Sequence, residues 1–146
     1  MGKLQRSSDY IAGNSTYIVI YSGKEKRYFI MTQYTHPTPT SFLLEEENRQ
    51  LFLGWSDEHE SVHSWEALRW ACPCAWCAGE GGLPGMLQKR QSLSVEETTL
   101  VNIQPVGRYG LTPVWEDGHK TGIYTYEKLR AMCECDECRQ KNSTNR

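Results

Sequence analysis

The sequence lacks the features of two large classes of protein. No apolar run approaches the roughly 18 residues that a membrane span requires, so we expect no membrane association. The 16 basic and 18 acidic residues give a net charge of −2, and no excess of positive charge favours nucleic-acid binding. The start of the chain has no apolar signal segment, which leads us to expect a soluble, intracellular protein in a reducing compartment. The cytoplasm is favoured, with a mitochondrion or plastid as the alternative.

Cysteine is absent outside two short runs. All 6 cysteines lie in "CPCAWC" (72–77) and "CECDEC" (133–138), which share the spacing C-x-C-x-x-C. Thiols one and two residues apart are poorly placed to bridge one another, and no secretory signal favours disulfides. Three thiolates in one turn could supply three ligands of a tetrahedral zinc ion. An iron–sulfur centre, redox thiols and disulfides are the weaker alternatives.

An internal repeat surrounds the two cysteine runs. Residues 51–77 and 111–138 each contain a short apolar run ending in Trp, an acidic turn with His, the pattern E-x-L-R and a C-x-C-x-x-C run. Each copy is typical of a hairpin followed by a helix, with Ser64 or Thr125 as N-cap and the cysteines at the end. The sequence therefore predicts an α+β fold: a small domain of two pseudo-repeated hairpin-helix units with zinc-binding cysteine clusters.

Composition along the chain divides it into three segments. Residues 1–38 form an N-terminal extension with a possible hairpin in "TYIVIYSGKEKRYFIMT", and the prolines of "HPTPT" end it. Residues 39–138 form the domain, in which "AGEGGLPG" is a loop and a second hairpin turns at "PVGRYG". Residues 139–146 lack apolar side chains, and we expect a flexible tail.

The fourth ligand of each zinc site must come from the 4 histidines. His59 and His119 occupy equivalent positions after the acidic turns, whereas His36 lies in the proline-rich segment and His63 has no counterpart. Spacing leaves the pairing open, but a helix separates histidine from cysteines within each copy by on the order of 10 Å. Pairing each histidine with the cysteines of the other copy avoids this separation, and a bound metal ion would then join the two copies.

The exchanged pairing defines two candidate sites. Site 1 consists of Cys72, Cys74, Cys77 and His119, and site 2 consists of Cys133, Cys135, Cys138 and His59.

Other repeated side chains have two possible roles. Asp57 and Asp117 are expected to form turns rather than to orient a ligating imidazole. Arg69 and Arg130 would either neutralise the charge of the thiolates or form surface salt bridges. We expect Trp76 to pack on a helix face, with a partner surface as the alternative.

The stretches "WSDEHES", "LRWACPCAWC" and "VGRYGLTPVWEDGHKTGIYTYEKLR" resemble the gamma-butyrobetaine hydroxylase-like N-terminal domain family, from about Pro39 to Cys138. In the hydroxylases this domain binds structural zinc through a C-x-C-x-x-C run and a later histidine, which implies the ligand set of site 1. "CECDEC" departs from that pattern, so site 2 depends on the internal repeat alone. The domain also occurs alone and attached to some iron–sulfur-cluster carriers.

The resemblance implies no activity for this chain. Hydroxylase chemistry belongs to a larger domain that binds iron and 2-oxoglutarate, and we expect no such domain here. We therefore expect a protein that is not an enzyme but a metal-binding (zinc) module for interaction or assembly with an unknown protein partner. The alternatives are an accessory protein that binds or transfers iron–sulfur clusters and an auxiliary subunit of a 2-oxoglutarate-dependent hydroxylase.

Overall fold

The structure is a computed structural model that describes residues 37–144 and the backbone of four strands within residues 5–30; for residues 142 and 144 it likewise describes only the backbone. The fold is a small mixture of helices and antiparallel sheets. The chain divides into two compact units: unit 1 comprises Met1–His63 and Arg130–Arg146, and unit 2 comprises Ser64–Leu129.

Unit 1 is built on one antiparallel sheet. Its strands are β1 (Gln5–Arg6), β2 (Tyr10–Ala12), β3 (Ser15–Ser22), β4 (Glu25–Ile30), β5 (Pro39–Glu45), β6 (Gln50–Trp55) and β7 (Glu60–Ser64), the last of which ends at the unit boundary. The strand order is β1-β3-β4-β5-β6-β7, and β2 also pairs with β3. The backbone ladder between β4 and β5 therefore continues across the segment boundary that the sequence predicts at 38–39.

The core of unit 1 follows the alternation expected of a strand with one buried face. Leu51, Leu53 and Trp55 of β6 are buried, as are Ser61 and His63 of β7. Trp55 Nε1 donates to Ser61 Oγ at 2.8 Å, and Ser61 Oγ lies 2.9 Å from His63 Nε2. Burial lowers the pKa of His63 to about 4, so this imidazole is a neutral core group at pH 7.

Unit 2 combines short helices with two small antiparallel sheets. Its elements are α1 (Trp65–Trp70), α2 (Ala75–Ala78), β8 (Gly79–Glu80), β9 (Leu83–Pro84), a 3-10 turn (Leu87–Lys89), α3 (Val95–Thr98), β10 (Leu100–Val106), β11 (Gly110–Trp115) and β12 (Tyr124–Thr125). The predicted hairpin at "PVGRYG" is confirmed as β10 and β11, which pair antiparallel. Leu68, Leu111, Trp115 and Tyr124 are buried in its core.

The predicted helix starts are confirmed. Ser64 Oγ accepts from Ala67 N–H at 3.3 Å before α1, and Thr125 Oγ1 accepts from Lys128 N–H at 3.2 Å before α4 (Tyr126–Ala131). These hydroxyls satisfy backbone donors that have no partner within the helix. Both helices end shortly before a cysteine run, and α4 contains the boundary between the two units.

The structure differs from the sequence prediction in two segments. The expected loop "AGEGGLPG" contains the paired strands β8 and β9. Helix α5 (Asp136–Thr144) extends into the segment 139–146 that was expected to be flexible. Its Lys141 Nζ lies 2.6 Å from Glu137 Oε1, an i,i+4 pair of the kind that supports an exposed helix even without apolar residues.

Candidate metal centres

The four residues of site 1 converge at one point within unit 2. Cys72 follows α1, Cys74 is the N-cap residue of α2, Cys77 lies inside α2, and His119 follows the turn after β11. One ligand atom from each of the four lies within 4.8 Å of every other. Cys72 and Cys77 are buried, and Cys74 and His119 are half-buried.

The spacing in site 1 fits a single tetrahedral ion. His119 Nε2 lies 3.3 Å from Cys72 Sγ and 3.7 Å from both Cys74 Sγ and Cys77 Sγ. Zinc bonds of about 2.3 Å to sulfur and about 2.1 Å to nitrogen place these atoms about 3.6 Å apart in a tetrahedral complex. Three soft sulfur donors and one imidazole also form an ordinary donor set for zinc.

A tight turn presents His119 to the cysteines. His119 O accepts from Trp115 N–H at 3.0 Å, and Trp115 O accepts from Gly118 N–H at 3.0 Å. Gly118 has φ +86°, a value that favours glycine. Asp117 Oδ1 accepts from His119 N–H at 2.9 Å, which agrees with its predicted role as a turn former.

Arg69 is the side chain that compensates charge at site 1. Its guanidinium is 1% exposed, and Nη1 donates to Cys77 Sγ at 3.1 Å. Nε donates to Glu97 O at 3.1 Å, and Nη2 lies 3.7 Å from Asp117 Oδ2. Of the two roles that the sequence left open for Arg69, the structure favours neutralisation of thiolate charge over a surface salt bridge.

The pKa values within site 1 differ from one another. Burial raises the pKa of the Cys72 thiol to about 12, with a further contribution from the neighbouring sulfurs. Burial opposes ionisation of Cys74 too, but hydrogen bonds led by that of Thr121 outweigh it and lower its pKa. Burial and the charge of Arg69 lower the pKa of His119, which keeps the imidazole neutral and able to bind metal at pH 7.

Two residues near site 1 were missed as functional by sequence reasoning. Thr121 Oγ1 lies 3.4 Å from His119 Nε2. A Cβ added at Gly122 would lie 2.7 Å from Cys72 Sγ, so the backbone passes directly against this sulfur. The stretch "DGHKTGIY" contains both residues, but their role depends on Cys72, which is distant in sequence.

The four residues of site 2 also converge, and all belong to unit 1. Cys133 is buried, while Cys135, Cys138 and His59 are half-buried. His59 Nε2 lies 3.5 Å from Cys133 Sγ and 3.7 Å from Cys138 Sγ, and one ligand atom from each of the four lies within 4.8 Å of every other. Val62 O accepts from Glu134 N–H at 2.8 Å, which fixes the cysteine run beside β7.

The turn before His59 repeats the hydrogen bonds of the turn before His119. His59 O accepts from Trp55 N–H at 2.9 Å, and Trp55 O accepts from Glu58 N–H at 3.1 Å. Glu58 has φ +65° where the other turn has glycine. Arg130 donates to Asp57 Oδ1 at 2.9 Å and lies over the Trp55 ring, 5.0 Å from its centroid. Its carboxylate partner has a lowered pKa, chiefly because of this hydrogen bond.

The two other histidines and Trp76 do not belong to either candidate metal site. His36 lies outside the described residues, and His63 belongs to the core of unit 1. Trp76 does not pack on a helix face as expected: it is 71% exposed, because α2 is a single turn and its Cys77 faces inward instead.

Comparison with known families decides where the chain belongs. Residues 42–130 match the family model described as gamma-butyrobetaine hydroxylase-like, N-terminal. The chain belongs to this family. The matched residues contain all of site 1 and also His59, but they end before Cys133. The cysteine run of site 2 therefore lies beyond the part of the chain that defines the family.

One solved protein structure is similar to this chain. It is a crystal structure of a protein of unknown function from Acidithiobacillus ferrooxidans, assigned to the DUF971 family. It is 32% identical, with 64% of this chain and 90% of that chain covered and a TM-score of 0.47. A comparison with curated proteins finds no match.

No helix among the described residues is long and apolar enough to cross a membrane.

Proposed function

We propose that this family member is a non-catalytic zinc protein whose two Cys3His sites stabilise a small module for protein interaction or assembly. It would act inside the cell, in a reducing compartment where thiolates persist as ligands. The observation that carries the proposal is the convergence of three cysteines and one histidine at each of two points, within 4.8 Å in both cases.

The completeness of each ligand set supports a structural role. Structural zinc sites have four protein ligands, whereas catalytic ones keep a position open for water or substrate. Both sets supply four protein donors, so neither leaves a position at which a substrate would be activated.

The close spacing of the sulfurs supports zinc over an iron–sulfur cluster. The four protein ligands of a cluster are divided between at least two irons joined by bridging sulfides, which separates the ligands on different irons more than a single ion does. In each candidate site one ligand atom from each of the four residues lies within 4.8 Å of every other, as the ligands of one ion do. In site 1 the Cys72 and Cys74 sulfurs are 3.6 Å apart, a distance suited to ligands of one ion.

The matching turns support the interpretation of the two copies as a structural pseudo-repeat. The hydrogen bond from the tryptophan N–H to the histidine carbonyl oxygen is 2.9 Å long in one turn and 3.0 Å long in the other. In both cases an arginine in the last turn of the helix of one copy reaches the aspartate in the turn of the other copy: Arg130 to Asp57 and Arg69 to Asp117. Each candidate site accordingly takes its histidine from one copy and its cysteines from the other.

An exposed apolar surface on unit 2 supports the interaction role. Trp76 and Leu83 are 71% and 75% exposed and line a groove of about 610 Å³. The pairing of β8 with β9 and the bond from Met86 N–H to Trp76 O, 2.8 Å long, hold both sides of this groove in place. Exposed apolar side chains on an ordered surface are typical of binding sites.

The identity of the metal is tested by elemental analysis and absorption spectroscopy on protein purified without oxygen. Colourless protein with up to two zinc ions per chain supports the proposal. Visible charge-transfer bands with stoichiometric iron and sulfide would instead favour the cluster-binding alternative. Protein that contains no metal and does not take up added zinc would contradict both.

The structural role is tested by removing ligands and metal. Cys74→Ser should lose one ion and lower the thermal midpoint of unfolding, because folding and binding are coupled at a structural site. Ser92→Ala, at an exposed serine away from both sites, is the control. A thermal transition that stays unchanged when a chelator removes all metal would show that the metal has no structural role.

A further inference from the structure

The two candidate sites differ in the charge that surrounds their sulfurs. Three thiolates and one neutral imidazole leave a bound Zn²⁺ with one net negative charge. At site 1 the buried guanidinium of Arg69 donates to Cys77 Sγ, so a positive charge lies directly against one of the candidate ligand sulfurs, while Asp117 pairs with the same guanidinium. The side chain has little freedom to leave, because Glu97 O and Asp117 also hold it.

At site 2 the equivalent arginine has another partner. Arg130 donates to Asp57 rather than to a sulfur, and its side chain is 32% exposed. The cations of α5 are also engaged with carboxylates of the cysteine run: Arg139 Nη2 lies 3.6 Å from Glu134 and Lys141 Nζ lies 2.6 Å from Glu137. Arg130 and these two cations thus lie against carboxylates, whereas Arg69 lies directly against a sulfur of site 1.

The sulfurs of the two sites also differ in how easily an incoming molecule can reach them. At site 1 both Cys72 and Cys77 are buried, and the backbone at Gly122 closes against Cys72. The loop after Cys77 covers the other side, since a Cβ at Gly85 would lie 2.2 Å from Cys77 O. At site 2 only Cys133 is buried, and Cys135 and Cys138 lie at the beginning of the largely exposed helix α5.

We propose that site 2 is an exchange site, which takes up a soft metal ion and releases it to thiol acceptors, whereas site 1 retains its ion. This inference depends on the proposed function, since both sites must bind metal. Release by ligand exchange requires an incoming sulfur to reach the ion while one of its own ligands leaves. The half-buried Cys138 is the ligand we assign to leave first.

The exchange step is a substitution without electron transfer. An incoming thiol loses its proton and forms a metal–sulfur bond, the bond to Cys138 breaks, and Cys138 takes up a proton. Repetition at Cys135 and Cys133, together with replacement of the neutral His59 imidazole by a further acceptor ligand, moves the Zn²⁺ ion to the acceptor with its charge unchanged. The acceptor is therefore a molecule with several thiols or another strong chelator.

The experiment follows zinc release from the full chain loaded with two ions. Glutathione is added with the chromophoric chelator pyridylazoresorcinol, and the absorbance of the zinc complex is recorded over time. We expect two phases of equal amplitude, with the fast phase at least about tenfold faster than the slow one. Cys138→Ser should remove the fast phase and leave the slow phase unchanged.

Arg69→Met tests the cause of retention at site 1. Loss of a neighbour that supports a metal ligand typically weakens metal binding roughly 10- to 100-fold, so the slow phase should accelerate by a similar factor. Arg108→Met is the matched control, because Arg108 belongs to the same unit but is exposed in the turn between β10 and β11. Should Arg69→Met unfold unit 2, Arg69→Lys keeps the charge and should accelerate the slow phase less.

The outcomes separate this inference from the proposed function. Absence of bound metal contradicts both. Two ions that leave in one phase, or a fast phase that Cys138→Ser does not remove, overturn the exchange role while zinc binding stands. A single bound ion that Cys138→Ser leaves in place also overturns it.

Discussion

Arg69 and Arg130 stand at the same place in the two sequence copies, yet their surroundings differ. Arg69 is 1% exposed and donates to Cys77 Sγ, whereas the side chain of Arg130 is 32% exposed and donates to Asp57. Both guanidiniums lie near the ring of a turn tryptophan, at 5.9 Å and 5.0 Å. The comparison teaches that two Cys/His clusters with the same residue types can differ in whether a cation lies against their sulfurs.

The largest expected contrast is between the two histidines. His119→Ala removes a ligand from a site that closes around buried cysteines of unit 2, and structural zinc contributes about 10 kcal/mol or more to small domains. We expect this variant to lose one zinc and the cooperative thermal transition of unit 2. His59→Ala should lose one zinc with a smaller decrease in melting temperature.

Elemental analysis and calorimetry of both variants measure this contrast. His59→Ala should disturb site 2 more than site 1. If it instead released the ion bound to Cys72, Cys74 and Cys77, the exchanged pairing would be wrong. His63→Gln serves as a control for loss of an imidazole that binds no metal.

The next contrast is between the arginines. Arg69→Met leaves Asp117 and the Cys77 sulfur without their buried partner, and breaking such a pair typically costs about 3–5 kcal/mol. Arg130→Met breaks an exposed pair and should cost about 1 kcal/mol or less. Urea unfolding of the zinc-loaded proteins measures both, and equal losses would show that the difference in burial has no energetic effect.

A smaller effect is expected from the backbone that passes site 1. Gly122→Ala places a Cβ 2.7 Å from Cys72 Sγ, and overpacking of this kind costs about 1–3 kcal/mol. Because the displaced atom would be a ligand of the proposed zinc ion, zinc affinity should fall together with stability. Gly118→Ala is the control: it is strained by its φ of +86° but has open space around the new Cβ. It should lower stability without a comparable loss of zinc affinity, as competition with a chelator would show.

The smallest predicted effect is the release of protons when zinc binds. The pKa values of Cys72 and Cys138 are both raised to about 12, chiefly by burial, so both thiols carry their protons at pH 7 when metal is absent. Zinc binding should therefore release the proton of Cys72 at site 1 and that of Cys138 at site 2, and affinity should increase as the pH rises. The lowered pKa of His119 means that its imidazole begins to compete for protons only below its ordinary value of 6.5. Calorimetry in buffers of different ionisation enthalpy counts the protons, and a release near zero would contradict these pKa shifts.

The parts of the fold and sites that could be predicted from sequence are those determined by neighbouring residues. The helix caps at Ser64 and Thr125 and the turn with Gly118 depend on local hydrogen bonds and on φ. The pairing of each histidine with the cysteines of the other copy could also be predicted from sequence, because a helix separates each histidine from the cysteines of its own copy. The structure brings together the four residues of each predicted site.

The contacts that could not be predicted depend on residues distant in sequence or on the length of a helix. Arg69 donates to Glu97 O, and Glu97 belongs to α3, which has no equivalent in the other copy. Trp76 was expected to pack on a helix, but α2 is too short to present a second face. Gly122 is a close neighbour of Cys72 only after the chain has folded.

The proposed exchange of ligands between the copies has a consequence for synthesis on the ribosome. At site 1 the histidine follows its cysteines by 42 to 47 positions, whereas at site 2 the cysteines Cys133 and Cys138 follow His59 by 74 and 79. A nascent chain that has just exposed the first cysteine run thus holds three thiols without their histidine. It can complete site 1 once His119 has emerged, before any cysteine of the second run is available. Site 2 would close last, and because site 1 lies within the segment between His59 and Cys133, an ion already bound at site 1 would shorten the free loop and lower the entropy cost of closing site 2.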